Sequence, residues 1–159
     1  MSTADAPAPI APKLAGPAPK ILIVSAPYYE HVVNGMLMAA RDILGGVNAE
    51  ITLVEVSGAF ELPQALTIAV RSGQKFDGYI ALGCVVRGET DHYEFICSSA
   101  MSGLMQLAVD QAICLGTAVL TVDTLAQAVA RSHETGSNKG AEAAVACLKQ
   151  IAIARQFAA

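Results

Sequence analysis

Charge is scarce in this chain. Asp, Glu, Lys and Arg make up 15% of its 159 residues, while 53% are apolar; an average domain carries about 25% charged residues. So few charges point to a partly covered surface, most simply by another copy of the chain, unless the alanine content alone inflates the apolar share. Clusters of Lys and Arg are missing too, and the net charge is −4. The footprint of a nucleic-acid backbone is therefore absent, and nucleic acid is not expected as a partner. No apolar run reaches the roughly 18 residues of a membrane span. No basic segment followed by an apolar block opens the chain, so neither a signal peptide nor a membrane is expected. The four cysteines, Cys84, Cys97, Cys114 and Cys147, lie in apolar periodic segments with no CxxC spacing. They read as free thiols of a reducing, cytoplasmic compartment, with no metal site. No GxGxxG follows a strand and no GxSxG occurs. GSNKG at 136–140 lacks the spacing of a phosphate-binding P-loop.

What is present fits one domain with a core of its own. Residues 1–19, rich in Pro and Ala and without periodicity, read as a flexible arm or one lying on a neighbour. Residues 20–159 form the domain. Ile21–Ser25 is a run suited to a strand buried on both faces, and Glu30–Leu44 has helical apolar spacing and stops at Gly45-Gly46. Ile51–Val56 is a second strand. Phe60–Arg71 is a helix with Pro63 in its first turn, where the missing N–H costs little. Gly78–Val86 is a third strand, a long helix runs from His92 to about Leu115 before Gly116, and Ala118–Val122 is the fourth strand. Helices over Leu125–Arg131 and Lys139–Phe157 close the chain, split by a turn containing Gly136. Doubly buried strands alternating with helices predict an α/β sandwich: a four-stranded parallel sheet with helices on both faces.

In such sheets ligands bind beyond the carboxyl ends of the strands. The third crossover holds the most chemistry there. After Val85-Val86, the segment Arg87-Gly88-Glu89-Thr90 turns, and His92 stands in the first turn of a long helix. Free N–H groups and the helix dipole favour an anion such as phosphate. Thr90 can add its hydroxyl or simply cap the helix, and His92 can exchange protons near pH 7 or be a plain surface residue. In the second crossover Ser57-Gly58-Ala59 precedes Phe60 and Glu61. Glu61 can accept hydrogen bonds from hydroxyls, or serve equally as favourable charge at a helix start. Tyr28 and Tyr29 follow the first strand. Either ring can stack on a planar heterocycle, although for the aromatics alone a core or interface role is the simpler account. Arg131, at a helix end, is electrostatically ordinary there and could instead complete a phosphate site.

Three motifs in order, SGAFELP at 57–63, GCVVRGETDHYEF at 83–95 and QAVARS with SNKG across 127–140, make the chain resemble the lumazine synthase family from about Lys20 to Phe157. The resemblance implies a flavodoxin-like fold and a step of riboflavin biosynthesis. In that step 5-amino-6-(D-ribitylamino)uracil and 3,4-dihydroxy-2-butanone 4-phosphate condense to 6,7-dimethyl-8-ribityllumazine, releasing phosphate and water. It implies no metal and no organic cofactor. It implies homopentamers, in some members decamers or icosahedral shells, with sites between subunits and riboflavin synthase as a partner. Carried over by motif, Tyr28 stacks on the pyrimidine, while Ala59, Phe60 and Glu61 line the pocket for the uracil and ribityl chain. Cys84, Val85 and Val86 contact the uracil. Glu89 and Thr90 supply donors to the phosphate, His92 transfers protons, and a neighbour's Arg131 binds phosphate.

The chain departs from the family pattern at three positions. Ser57 stands where Pro is common and Cys84 where Thr is common. Thr117 takes the place of an aromatic contributed by the neighbour, which implies one-sided stacking on the pyrimidine.

Overall fold

The computed structural model describes residues 7–133 and 138–158. Its elements in chain order are β1 (Lys20–Ser25), α1 (Glu30–Gly45), β2 (Glu50–Glu55), α2 (Leu62–Arg71), β3 (Gly78–Val86), α3 (His92–Asp110), β4 (Leu115–Val122), α4 (Leu125–Val129) and α5 (Lys139–Ala158). Short 3-10 turns at Pro27–Tyr29 and Ala59–Glu61 precede α1 and α2. The strands pair in parallel in the order β2-β1-β3-β4. The fold is the expected flavodoxin-like α/β sandwich.

Alternation along the strands builds a core on each side of the sheet. Ile21, Ile23, Ile80 and Leu82 meet Met36 and Leu44 of α1 and Leu148 and Ile151 of α5. Leu22, Val24, Tyr79 and Ala81 point the other way, onto Leu62 and Leu66 of α2 and Leu104 of α3. β1 and β3 are apolar on both faces because both faces are covered. β2, at one edge, is only partly buried. Before β1, Ala11 and Leu14 pack against the first core, and Arg155 Nη1 donates to Ala15 O at 2.6 Å.

Several boundaries differ from the sequence expectation. α3 ends at Asp110, not near Leu115, and β4 begins at Leu115 rather than Ala118. The stop is Ala112, left-handed at φ 49°, with Ile113 N donating back to Ala108 O at 3.1 Å. That is a Schellman-type end with alanine where glycine is usual, so the sequence carried no sign of it. Gly116 does not stop the helix. It lies inside β4, where a Cβ would collide with the backbone oxygen of Ala143 on α5. Phe60 belongs to the 3-10 turn and α2 starts at Leu62, with Pro63 at its first positions as expected. α4 ends at Val129, short of Arg131. The expected turn around Gly136 lies outside the described residues. Among those described, no helix is long and apolar enough to cross a membrane.

Candidate active site

The strand order reverses between β1 and β3, and a crevice opens there at the carboxyl ends of the strands. It is a cavity of about 460 Å³ with three walls. Tyr28 and Tyr29 come from the turn after β1, Ser57 to Glu61 from the segment after β2, and Cys84 to Val86 from β3, while His92 and Ile96 of α3 close the side.

Each wall has a local cause. Pro27 fixes the tight turn that follows β1 and delivers both tyrosines. Their rings meet edge to face, with centroids 5.2 Å apart. Tyr29 is half buried, and burial, then Tyr28, raises its phenol pKa. Tyr28 is 75% exposed and presents a free aromatic surface. The second wall rests on Gly83, where a Cβ would lie 3.2 Å from Leu62 Cδ1 and 3.7 Å from Ala59 Cβ. Its absence lets the Ala59–Glu61 turn settle on β3. The Glu61 carboxylate folds back over Gly58, with Oε2 3.2 Å from where a Cβ on that glycine would sit. On the third wall Cys84 is 4% exposed, and burial pushes its thiol up to about 11. It stands there as a neutral group, not a thiolate nucleophile.

His92 is the first residue of α3, and no side chain caps this helix start. Asp91, not Thr90, holds the position before it, and Thr90 Oγ1 accepts only a long bond, 3.4 Å, from His92 N. Thr90 is thus not the conventional cap. Glu94 N already donates to Asp91 O at 3.0 Å, so what the head of this 19-residue helix offers an anion is chiefly its dipole. A Cβ on Gly88 would meet nothing within 4 Å, so the turn is open on that side.

Of the twelve residues singled out in the sequence, Tyr28, Ala59, Phe60, Glu61, Cys84, Val85, Val86 and His92 line the cavity. Glu89 and Thr90 sit in the exposed turn between β3 and α3. Thr117 and Arg131 do not line it. Thr117 is exposed in the middle of the edge strand β4, paired with Ala81. Arg131 turns back so that Nη1 donates to Gln127 O at 2.8 Å. The other wall residues are Tyr29, Ser57 and Gly58, which lie in crossover segments already named from the sequence, and Ile96, which is new. Ile96 follows His92 at helical spacing i+4, the one signal that would have found it. Also unforeseen is Arg87, whose Nε donates to Asp123 at 2.8 Å and whose Nη1 donates to Glu94 at 2.7 Å. Among the described residues no group of three or more His, Cys, Asp or Glu could hold a metal ion, and all four cysteines are free.

Comparison with known proteins gives this crevice its context. A family model described as 6,7-dimethyl-8-ribityllumazine synthase matches residues 18–155. A protein of that name from Methylorubrum populi is 41% identical over 156 residues, covering 96% of this chain and 91% of the relative. One from Paramagnetospirillum magneticum is 38% identical over 144 residues, 87% of this chain and 96% of the relative. One from Sphingopyxis alaskensis is 40% identical over 137 residues, 86% and 96% respectively.

Proposed function

The chain belongs to the 6,7-dimethyl-8-ribityllumazine synthase family, and from that premise we propose how its crevice carries out the reaction. The protein is a transferase of riboflavin biosynthesis. It condenses 5-amino-6-(D-ribitylamino)uracil with 3,4-dihydroxy-2-butanone 4-phosphate to 6,7-dimethyl-8-ribityllumazine, phosphate and water.

The uracil lies against Tyr28, with its polar edge along Cys84, Val85 and Val86. Its ribityl chain runs past Ala59, Phe60 and Glu61, whose carboxylate accepts from hydroxyls. The phosphorylated ketone places its phosphate in the Gly88–Asp91 turn, on the Glu89 N–H and the Thr90 hydroxyl. The amine attacks the ketone, and the carbinolamine loses water to give an imine, which needs protons moved on and off one oxygen. His92 moves them. Loss of the proton on the hydroxyl-bearing carbon then expels phosphate from the neighbouring carbon toward the Gly88–Asp91 turn, the resulting enol becomes a ketone, and the ribitylamino nitrogen attacks that ketone and loses a second water to close the ring. Holding both substrates in one crevice supplies much of the acceleration. The observation that carries this reading is the convergence of eight expected residues from three crossovers on one cavity.

We further propose a homo-oligomer, a pentamer first and larger shells as the alternative. Phe95, Met105 and Val109 stand 65–70% exposed along α3, and Ile68 of α2 is 71% exposed; so much apolar surface calls for a partner. Thr117 and Arg131, both away from their own cavity, then serve a neighbour's. A cytoplasmic location and riboflavin synthase as the partner that takes up the product belong to the same reading. Mixing protein with both substrates should give lumazine absorbance and phosphate in equal amounts, and light scattering should give five times the chain mass. A protein that binds the lumazine but never forms it overturns the assignment.

A further inference from the structure

Arg87 follows β3 directly and opens the turn that carries Glu89 and Thr90. It does not line the cavity. Its backbone N–H continues the sheet, donating to Val122 O at 2.9 Å. Its guanidinium makes three contacts in different directions. Nε donates to Asp123 Oδ1 at 2.8 Å, at the end of β4. Nη1 donates to Glu94 Oε1 at 2.7 Å, in the first turn of α3. The plane also lies over the Tyr93 ring, with Cζ 4.2 Å from the centroid. A planar fork held by two carboxylates and a ring face favours one orientation. Glu94 belongs to the helix that follows the turn and Asp123 lies just past β4, the strand paired with β3, so one side chain fastens the exit of β3 to the end of β4 and the head of α3.

We propose that Arg87 is a positioning residue for the phosphate turn. It holds residues 88–91 in the geometry that receives the phosphorylated substrate, without touching that substrate. This rests on the reading of the turn as the phosphate site. Charge excludes the simpler idea that Arg87 is itself the anion receptor. Two carboxylates against one guanidinium leave the cluster net negative, and the Nε and Nη1 donors are already engaged. What the cluster supplies is shape: it draws Glu94 and Asp123 onto Arg87 and spans a turn whose glycine has open space around it. Lysine would keep the charge and lose the fork.

The test compares Arg87→Lys and Asp123→Asn with the unmodified protein, using inorganic phosphate as probe by calorimetric titration and steady-state kinetics with each substrate varied. Arg87→Lys should weaken phosphate binding and raise KM for the phosphorylated ketone, each on the order of tenfold. KM for the pyrimidine should stay within about twofold. Asp123→Asn, which leaves Arg87 in place, should move the same two quantities in the same direction by less. A merely structural role would shift both KM values together with the thermal midpoint, which overturns the proposal. Phosphate binding by Arg87→Lys equal to the unmodified protein overturns it too, while leaving the turn as the phosphate site. Failure of the unmodified protein to bind inorganic phosphate at all overturns the phosphate-site reading and the proposal with it.

Discussion

The side-chain amide of Asn138 donates to the backbone carbonyl of Ser132 at 2.9 Å, in a buried setting. The same nitrogen reaches His133 O at 2.9 Å and Gly35 O at 3.2 Å, and Oδ1 accepts from Gly140 N at 2.8 Å. One residue thus ties the segment after α4, which carries Arg131, to the head of α5 and to α1. Asn138→Ala would leave these buried groups without partners, at about 1–3 kcal/mol for each one left unsatisfied. We expect a loss of at least about 2 kcal/mol, read as a lower urea midpoint at unchanged slope. A midpoint equal to wild type would show that water replaces the amide without cost.

Close backbone approach makes a second demand on the same region. A Cβ on Gly140 would overlap the backbone oxygen of Met36 in α1, and one on Gly116 would overlap that of Ala143 in α5. Neither neighbour is a flexible side chain, so whole helices would have to move. Gly140→Ala and Gly116→Ala should each cost about 1–3 kcal/mol or more, as overpacking does. Gly45, where a Cβ meets nothing within 4 Å, is the control: Gly45→Ala should leave the thermal midpoint level or slightly higher, since alanine favours the helix. Equal effects at all three positions would refute the packing account.

These glycines show where the sequence was legible and where it was not. β1 and β3 stood out because doubly buried strands are continuous apolar runs. The walls of the cavity followed once the crossovers were known, since they lie at strand ends. A glycine in the sequence does not say what it is for. Gly45 and Gly46 lie near the end of α1, but the left-handed position is Asn48, at φ 54°, with Ala49 N bonded back to Leu44 O. Gly116 has the look of punctuation after a helix and is a contact between layers. Arg87 and Asp123 are 36 residues apart, and nothing local announces their pairing. Thr117 rests on motif resemblance alone and Arg131 on a helix end that could equally be ordinary, and a single chain has no second surface to set them against.

Buried thiols set an alkaline limit on stability. Burial raises Cys84 to about 11, and burial, then Cys114, raises Cys147 to about 12, from an ordinary 9.0. Above pH 9 the unfolded chain releases these protons while the folded chain keeps them, so deprotonation favours unfolding. Their contribution is complete below pH 9 and is lost as pH rises through 11 to 12. In the presence of reductant the urea midpoint should fall steadily from pH 9 to 11, and Cys84→Ala with Cys147→Ala should flatten that slope. An equally steep slope in the double variant would assign the alkaline loss to other groups.

On the proposed reading the chemistry of the crevice divides between holding and proton transfer, and His92 tests the division. It stands at an uncapped helix start beside Thr90 and lines the cavity, so a substrate in the crevice would meet it from the α3 side alone. Tyr28, the Ala59–Glu61 turn and Cys84 to Val86 form the other walls and do not depend on it. Removing the imidazole should leave both substrates bound and oriented, with water carrying protons more slowly. We expect His92→Ala to lower kcat by about 10- to 100-fold, at or below the lower end of general acid–base contributions, with KM values within about threefold. Orientation alone can supply several orders of magnitude, so residual turnover should be measurable from lumazine absorbance. Loss of all detectable turnover, in a variant with wild-type mass and thermal midpoint, would mean that proton transfer dominates over orientation.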